Sequence, residues 1–503
     1  MNNVYFLSRY QSTMEYAVRP LWKDFVYFSH QLEGIQWMLQ KEIEGTVVPN
    51  RNLSANVTVR GGFQCDDMGL GKTIQIAAVM YNNIMLNTLL IAPLAMLSTW
   101  SDVCKRMGMR VYEVENGEWV CKSDPNVSVP VRFVKKHPAV YITNYEKMYN
   151  SRALFLKPLQ PWDRIVLDEA HKIRNGDSEL ALVARKIVAP IRWAVTGTPL
   201  VNSESDIVSL LAFVGVPYSP LWSWEERYLT ILPDLLIHRS LASLRAIIKG
   251  APPVPEINHL VLPFITKEEE EFYFGVQGEA KAYLADTINN AEKFKQLLRL
   301  RQISIHPQVF IDAKRRESSS YERQDWNLPC TKFEKVKDII LADTTVSENE
   351  DEKHDENDAH KYIIFCQFND EMQYLEDFLI KENLVETVFK YNGSLNQKQR
   401  TEVLKQSKLS TKKTAMLLQL QAGGVGLNLQ EYDRIIFLSP WWTAALMDQA
   451  IARAVRMGQT KVVKVYHLEL AAEHENSINI DMLINSKIDE KREQLHNIFE
   501  MCA

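Results

Sequence analysis

The stretch Asp66-Asp67-Met68-Gly69-Leu70-Gly71-Lys72-Thr73 constrains this chain more than any other. A Gly-x-Gly-Lys-Thr pattern ahead of an apolar run, Ile74 to Met80, reads as a loop that cradles phosphate at the start of a helix. Glycines let backbone N–H groups turn inward, and a helix N-terminus directs its partial positive charge at the anion. Lys72 is placed to reach the β- and γ-phosphates of a nucleoside triphosphate, and the Thr73 hydroxyl to hold Mg²⁺. Asp66, Met68, Gly69, Leu70, Gly71, Lys72 and Thr73 are thus the candidate triphosphate contacts. The standard pattern opens on Gly, whereas Asp66 stands at that position here.

A chain of 503 residues is too long for one compact core and implies two to four domains. With 46% hydrophobic and 24% charged residues it has an ordinary globular composition. No apolar run approaches the ~20 residues that span a bilayer, and residues 1–20 lack the core of a signal peptide. The expected setting is therefore intracellular, with no membrane partner, and the Asn-x-Ser/Thr matches at Asn52, Asn56, Asn126 and Asn392 are read as chance. No two of the six cysteines are spaced Cys-x-x-Cys, so neither a zinc module nor a redox pair is expected, and a reducing compartment fits. A net charge of −5 argues against coating nucleic acid through bulk charge but leaves room for a local basic groove.

Taken in order, Leu32, Ile35, Trp37, Met38 and Leu39 mark a half-buried helix opening near Gln31. The Gln31 carboxamide suits either a helix start or one edge of an adenine. Thr88 to Pro93, Ala139 to Tyr145, Arg164 to Leu167 and Arg192 to Val195 are short apolar runs of buried parallel strands. Asp168 and Glu169 follow the third of these. Ligands of open parallel sheets bind beyond the carboxyl ends of strands. Asp168 is accordingly placed for Mg²⁺ and Glu169 for the attacking water. Strands alternating with helices up to Val214 make one α/β domain. Helices dominate from Pro217 to Leu328, notably Lys267 to Leu300. Arg299, Arg301, Lys314, Arg315 and Arg316 cluster there, as a binding patch or as a solvated face. Residues 344–360, which include Ser347 to Asp358, are acidic and nearly without apolar side chains, so a disordered loop is expected.

A second α/β pattern follows, with strands at Lys361 to Cys366, Thr414 to Gln419, Arg434 to Leu438 and Val462 to Leu468. Ala422 to Leu429 reads as a glycine-rich turn opening a helix. Arg453 and Arg456 fall one helical turn apart, either as a forked pair for polyphosphate or as a salt-bridged face. The run from Ser477 to Phe499 carries Ile478, Met482, Ile484, Ile488, Leu495 and Phe499, a bracing amphipathic helix packed on the body of the protein.

This order of motifs resembles superfamily-two helicase motors, and within them the Swi/Snf-type ATPases. Gln31 to Gly34, Asp66 to Thr73, Ile91 to Leu94, Asp168 to His171 and Thr196-Gly197-Thr198-Pro199 carry the likeness in the first half. Leu300-Arg301-Gln302 with His306-Pro307, Phe365 to Phe368, Asn392-Gly393-Ser394, Ala422 to Leu429, Pro440-Trp441-Trp442 and Arg456 to Gln459 carry it in the second. In that branch the loop does open on Asp. The Gly423 to Gly426 turn and the Pro-Trp-Trp are most similar to helicase-like transcription factors and postreplication-repair translocases, though without their zinc ring.

The resemblance implies an α/β fold of two RecA-like parallel-sheet lobes with helical protrusions. The expected divisions are an N-terminal segment 1–27, lobe one 28–216, protrusions and linker 217–330, lobe two 331–476 and a bracing helix 477–503. It implies a monomeric minimal motor that hydrolyses ATP with Mg²⁺ to translocate on double-stranded DNA and displace bound proteins, in a nucleus, cytoplasm or viral factory. Gln31 would read adenine, Gly424 and Gly426 would join the ATP contacts, and Arg453 and Arg456 would be arginine fingers. DNA grips would be Thr99, Thr143, Asn392, Gly393 and Trp442, and coupling would run through His171, Thr196, Thr198 and Gln449. Val455 stands where the family usually has His, Ala452 where an acid is common, Gln421 where a basic residue is usual and Thr443 where Asn is frequent. Such departures would weaken coupling without abolishing ATP binding. A strand-separating helicase and an ATP-binding scaffold are the alternatives.

Overall fold

The computed structural model describes residues 16–50, 55–123, 138–158, 160–201, 203–217, 224–248, 250–286, 289–349, 360–420, 427–472 and 479–502. The chain forms two compact units, one of Met1–Lys249 with Lys491–Ala503 and one of Gly250–Glu490. Among the described residues, no helix is long and apolar enough to cross a membrane.

Nine strands build the sheet of the first lobe: β1 (Thr46–Asn50), β2 (Ala55–Gln64), β3 (Asn87–Ile91), β4 (Arg110–Glu115), β5 (Glu118–Cys121), β6 (Ala139–Thr143), β7 (Arg164–Asp168), β8 (Ile191–Val195) and β9 (Leu236–Ile237). Their order is β1-β2-β8-β7-β3-β6-β4-β5, with β9 also paired to β2. All pairings are parallel except the edge pairs β1–β2 and β4–β5. A parallel sheet is buried on both faces, so its strands read as unbroken apolar runs. In β7, Ile165 and Leu167 join the core on one face while Val166 joins the other. One buried ion pair ties the first helix, Ser29–Ile43, to this sheet: Arg164 Nε donates to Glu42 Oε1 at 2.6 Å, and Trp193 Nε1 donates to the same oxygen at 2.8 Å.

The second lobe has β10 (Glu256–Leu262), β11 (Lys361–Cys366), β12 (Thr387–Tyr391), β13 (Thr414–Gln419), β14 (Arg434–Phe437) and β15 (Lys464–Leu470). They form a wholly parallel sheet in the order β10-β15-β14-β11-β13-β12. Alternation again divides the core, with Ile363 and Phe365 on one face and Tyr362, Ile364 and Cys366 on the other. Both lobes are therefore parallel-sheet α/β units, as the motif order implies.

Two local expectations need correction, and one alternative left open is decided. The helix Thr331–Asn349 continues into residues 344–349, which were expected in the acidic loop. Extending an existing helix needs no new nucleus; residues 350–359 lie outside the described set. The basic cluster is a salt-bridged face, because Arg299, Arg315 and Arg316 pair with Glu317, Asp325 and Asp370. Arg301 of the same cluster is buried, its guanidinium over the Trp441 ring at 4.7 Å. The helix ahead of Arg453 spans only Ala444–Ile451, so Arg453 and Arg456 sit in the turns after it rather than on a helical face. There the Arg453 carbonyl accepts from Leu429 N–H at 3.1 Å, and Gln459 N–H donates to the Arg456 carbonyl at 2.9 Å.

The final helix, Ile480–Cys502, starts in the second unit and ends in the first. In the second unit Asp481, with no exposed side chain, accepts from Lys332 Nζ at 2.6 Å, Ser304 Oγ at 2.8 Å and Leu470 N–H at 3.2 Å. Removing one member of such a pair strands the other charge away from water. Asp481→Asn is expected to cost roughly 3–5 kcal/mol in urea unfolding, whereas Glu490→Gln, in the exposed Lys487–Glu490 pair, costs less than about 1 kcal/mol.

Candidate nucleotide site

The loop after β2 is shaped by its glycines. Gly69 (φ 86°) and Gly71 (φ 82°) both occupy the left-handed region. An added Cβ at Gly71 would stand 2.4 Å from Gln31 Nε2, whereas one at Gly69 would meet nothing within 4 Å. The helix Lys72–Asn82 begins directly after Gly71, with no side-chain cap and no acid in its first turn. Its first backbone N–H groups thus have no intrahelical or capping partner, the arrangement that binds anions.

Around the loop the side chains converge. Lys72 Nζ donates to the carbonyls of Asp66 (2.8 Å) and Asp67 (3.3 Å). The Leu70 carbonyl accepts from Gln31 Nε2 and Gln75 Nε2, each at 3.3 Å, and lies 3.1 Å from His30 Nε2. Gln31 also accepts from the Phe28 N–H at 3.2 Å, so it serves as a helix-start residue and touches the loop at once. Met68 and Lys72 both stand within 4 Å of where a Gly197 Cβ would be, which sets the Thr196–Pro199 segment against the loop.

Asp66 is wholly buried, and its carboxylate turns inward. It accepts from Gln64 Nε2 (2.7 Å), Gln75 Nε2 (2.9 Å) and Arg239 Nε (2.9 Å). Burial alone would raise its pKa, but the Arg239 guanidinium and the two amides together hold it below the usual carboxylate range. Asp66 is therefore an anchor beneath the loop, and Arg239, 173 residues away, is a partner that no local pattern announces.

Asp168 and Glu169 stand at the carboxyl end of β7. Burial, then the neighbouring Glu169 charge, pushes the Asp168 carboxyl up to about 7. Trp100 Nε1 donates to its Oδ2 at 2.7 Å, and Tyr145 Oη donates to its backbone carbonyl at 2.7 Å. Glu169 has a left-handed backbone (φ 55°), uncommon for a residue with a side chain and recurrent at working sites. Its Oε2 is buried without a well-formed hydrogen bond, 3.4 Å from His171 Nδ1. That same nitrogen lies 3.1 Å from Thr196 Oγ1, which accepts from the Thr198 N–H at 3.2 Å. Burial lowers the His171 pKa, against the pull of the Glu169 carboxylate. The expected coupling residues His171, Thr196 and Thr198 are in fact one connected chain beginning at Glu169.

A Mg²⁺ ion fits this donor set. Two crowded carboxylates at a buried strand end, one with an unpartnered oxygen, are short of positive charge. Among the described residues no three or more His, Cys, Asp or Glu cluster as a metal cage. Mg²⁺ is ordinarily held by one or two carboxylates with water and phosphate oxygens.

The remaining candidates divide by lobe. Thr99 is exposed on the helix Leu97–Arg106. Thr143, at the end of the internal strand β6, is only 1% exposed, so its side chain is not presented as the expected DNA grip. In the second lobe Asn392 Oδ1 accepts from Ser394 N–H at 3.1 Å, and the exposed Gly393 donates its N–H to Gln419 Oε1 at 3.1 Å. Trp442 is half-buried, Gln449 is buried, and Arg456 Nη1 donates to the Leu427 carbonyl at 3.3 Å. Gly424, Gly426 and Gln421 lie outside the described residues.

Comparison with known proteins identifies the family. Residues 30–309 match the SNF2-related domain and residues 331–458 the helicase conserved C-terminal domain. The chain is 25% identical over 497 residues to a probable global transactivator of Orgyia pseudotsugata multicapsid polyhedrosis virus, covering 94% of this chain and 91% of that protein. It is 24% identical to the DNA repair protein RAD5 of Yarrowia lipolytica, covering 84% of this chain but 54% of the relative. With the chromatin structure-remodeling complex subunit snf21 of Schizosaccharomyces pombe it shares 26% identity, covering 87% of this chain and 37% of the relative. The chain thus spans about half or less of these two relatives. A solved Sulfolobus solfataricus SWI2/SNF2 ATPase core in complex with dsDNA matches at 20% identity and a TM-score of 0.38, covering 96% of this chain and 98% of that one.

The two loop glycines give a graded prediction. Gly71→Ala meets the strained φ and also pushes the terminal amide of Gln31 off the Leu70 carbonyl, so nucleotide affinity is expected to fall about tenfold, the scale of the ~1–2 kcal/mol of a left-handed residue. Gly69→Ala, with open space around it, should lose less. Equal losses in a fluorescent-nucleotide titration would contradict this geometry.

Proposed function

The chain belongs to the SNF2-related family of helicase-like ATPases, and on that premise we propose that it translocates along double-stranded DNA and displaces proteins bound there. The observation carrying this reading is the convergence, in the first lobe, of the phosphate loop, the Asp168–Glu169 pair and the Thr196 strand tip. All three lie at the carboxyl ends of neighbouring strands of one parallel sheet. The relatives named for DNA repair, transactivation and chromatin remodeling support DNA as the track.

On this reading the uncapped N–H groups of the Lys72 helix and the Lys72 ammonium bind the triphosphate. Thr73 and Asp168 would hold Mg²⁺, which supplies charge neutralisation on the phosphate oxygens. Glu169 orients the attacking water through its unpartnered Oε2 and takes its proton. His171, between Glu169 and Thr196, reports the state of that carboxylate to the Thr196–Pro199 segment. Arg453 and Arg456 of the second lobe are proposed as arginine fingers, because guanidiniums are forked cations that suit a polyphosphate. Thr99, Asn392, Gly393 and Trp442 are the proposed DNA contacts, and they address the backbone rather than base sequence.

Steady-state ATP hydrolysis with duplex DNA, single-stranded DNA, RNA and no nucleic acid tests the proposal. Duplex should stimulate most, and Glu169→Gln should lower the stimulated rate at least about 10²-fold, the scale of a lost general base, while nucleotide still binds. Stimulation by RNA or single strands alone would point to a strand-separating helicase. Equal rates in all four conditions would remove DNA from the account.

A further inference from the structure

The phosphate loop has a second neighbour that the mechanism does not use. The segment Ile237–Leu241 runs beside the start of the loop and grips it through the backbone. Cys65 N–H donates to the Ile237 carbonyl at 2.8 Å and Asp67 N–H to the Arg239 carbonyl at 3.0 Å. Leu241 N–H donates to Asp67 Oδ2 at 2.8 Å, and Arg239 holds the Asp66 carboxylate. His238 sits within this grip, its Nε2 3.5 Å from Asp67 Oδ1.

One face of the His238 ring is covered by the last turns of the final helix. Its imidazole stacks on the Phe499 ring at 3.6 Å between centroids, with 2° between planes. Phe499 belongs to the last turns of the helix Ile480–Cys502, where Leu495, Ile498 and Phe499 join the first-lobe core that includes Leu235 and Leu236. Anchoring a helix end needs only apolar contact. A parallel stack on an imidazole that faces an acid of the phosphate loop does more, because it fixes the orientation of that imidazole.

We propose that His238 and Phe499 are positioning residues for nucleotide binding: the docked end of the final helix holds the mouth of the phosphate loop and so sets affinity for a nucleoside triphosphate. The inference rests on reading that loop as the triphosphate site. Neither residue touches the reacting groups, so the effect falls on binding rather than on the chemical step. A loop held in its binding conformation loses less freedom when the ligand arrives. Whatever draws the final helix off the first lobe then weakens ATP binding without altering Lys72, Asp168 or Glu169.

The test uses the full chain with Phe499→Leu, which keeps an apolar side chain but removes the ring. Phe499→Tyr restores the ring, and Asn497→Ala alters an exposed site on the same helix. The readouts are equilibrium affinity for a fluorescent, slowly hydrolysed ATP analogue and the KM and kcat of ATP hydrolysis. Phe499→Leu should weaken analogue binding and raise KM roughly two- to tenfold, the scale of one aromatic pair, with kcat within about twofold of wild type. Phe499→Tyr and Asn497→Ala should match wild type. Unchanged analogue affinity in Phe499→Leu, a kcat loss at constant KM, or no recovery in Phe499→Tyr would overturn the proposal. If Phe499→Leu does not fold, His238→Gln, which keeps a donor for Asp67 but no ring, carries the same expectations. A wild-type chain that binds no analogue would instead refute the triphosphate reading itself.

Discussion

The first lobe is organised around a carboxylate that has no access to water. Asp66 is fully buried at the root of the phosphate loop, and a bare charge there would be far too costly to keep. Gln64, Gln75 and Arg239 satisfy it from the end of β2, the helix after the loop and the segment after β9. These three partners fasten the loop to the sheet on one side and to a distant strap on the other. Truncating one partner of such a set strands the rest, so the network specifies a single loop conformation. The backbone N–H groups of Lys72 and its neighbours can then face a ligand without having to order on its arrival.

The second lobe is built on the same logic with different groups. Lys332 and Asp481 are buried with Ser304, joining the helix Thr331–Asn349 to the start of the final helix. Arg301 stacks on Trp441 and bonds Gln367, whose amide also donates to the Pro440 carbonyl at 3.2 Å. The loop carrying Trp441 and Trp442 is therefore held from below by a buried cation. Arg301, in a cluster that the sequence leaves open between a binding patch and a solvated face, is a support for the neighbouring aromatic segment.

Much of this was legible in the sequence because parallel strands buried on both faces are unbroken apolar runs. The strands at Asn87–Ile91, Arg164–Asp168, Lys361–Cys366 and Arg434–Phe437 stand out for that reason. β2 did not, because its Gly61-Gly62 pair imitates a turn; in the sheet, a Cβ on Gly61 would stand 2.0 Å from the Arg192 carbonyl. Edge strands such as β10 and β12 are half-exposed and lose the apolar signature. Loop and strand-end residues, Lys72, Asp168 and Glu169 among them, were legible because their chemistry is local. Arg239, Trp100 and His238 were not, since each acts on a partner far along the chain. The arginine pair reads as helical because a spacing of three fits a turn of helix, whereas the chain there leaves the helix at Ile451.

Displacement of a DNA triplex strand measures the proposed movement along an intact duplex most directly. ATP-dependent release of the third strand, with no unwinding of a forked duplex and no release in Glu169→Gln, is the predicted result. Fork unwinding, or a triplex that stays intact while ATP is hydrolysed, would contradict it.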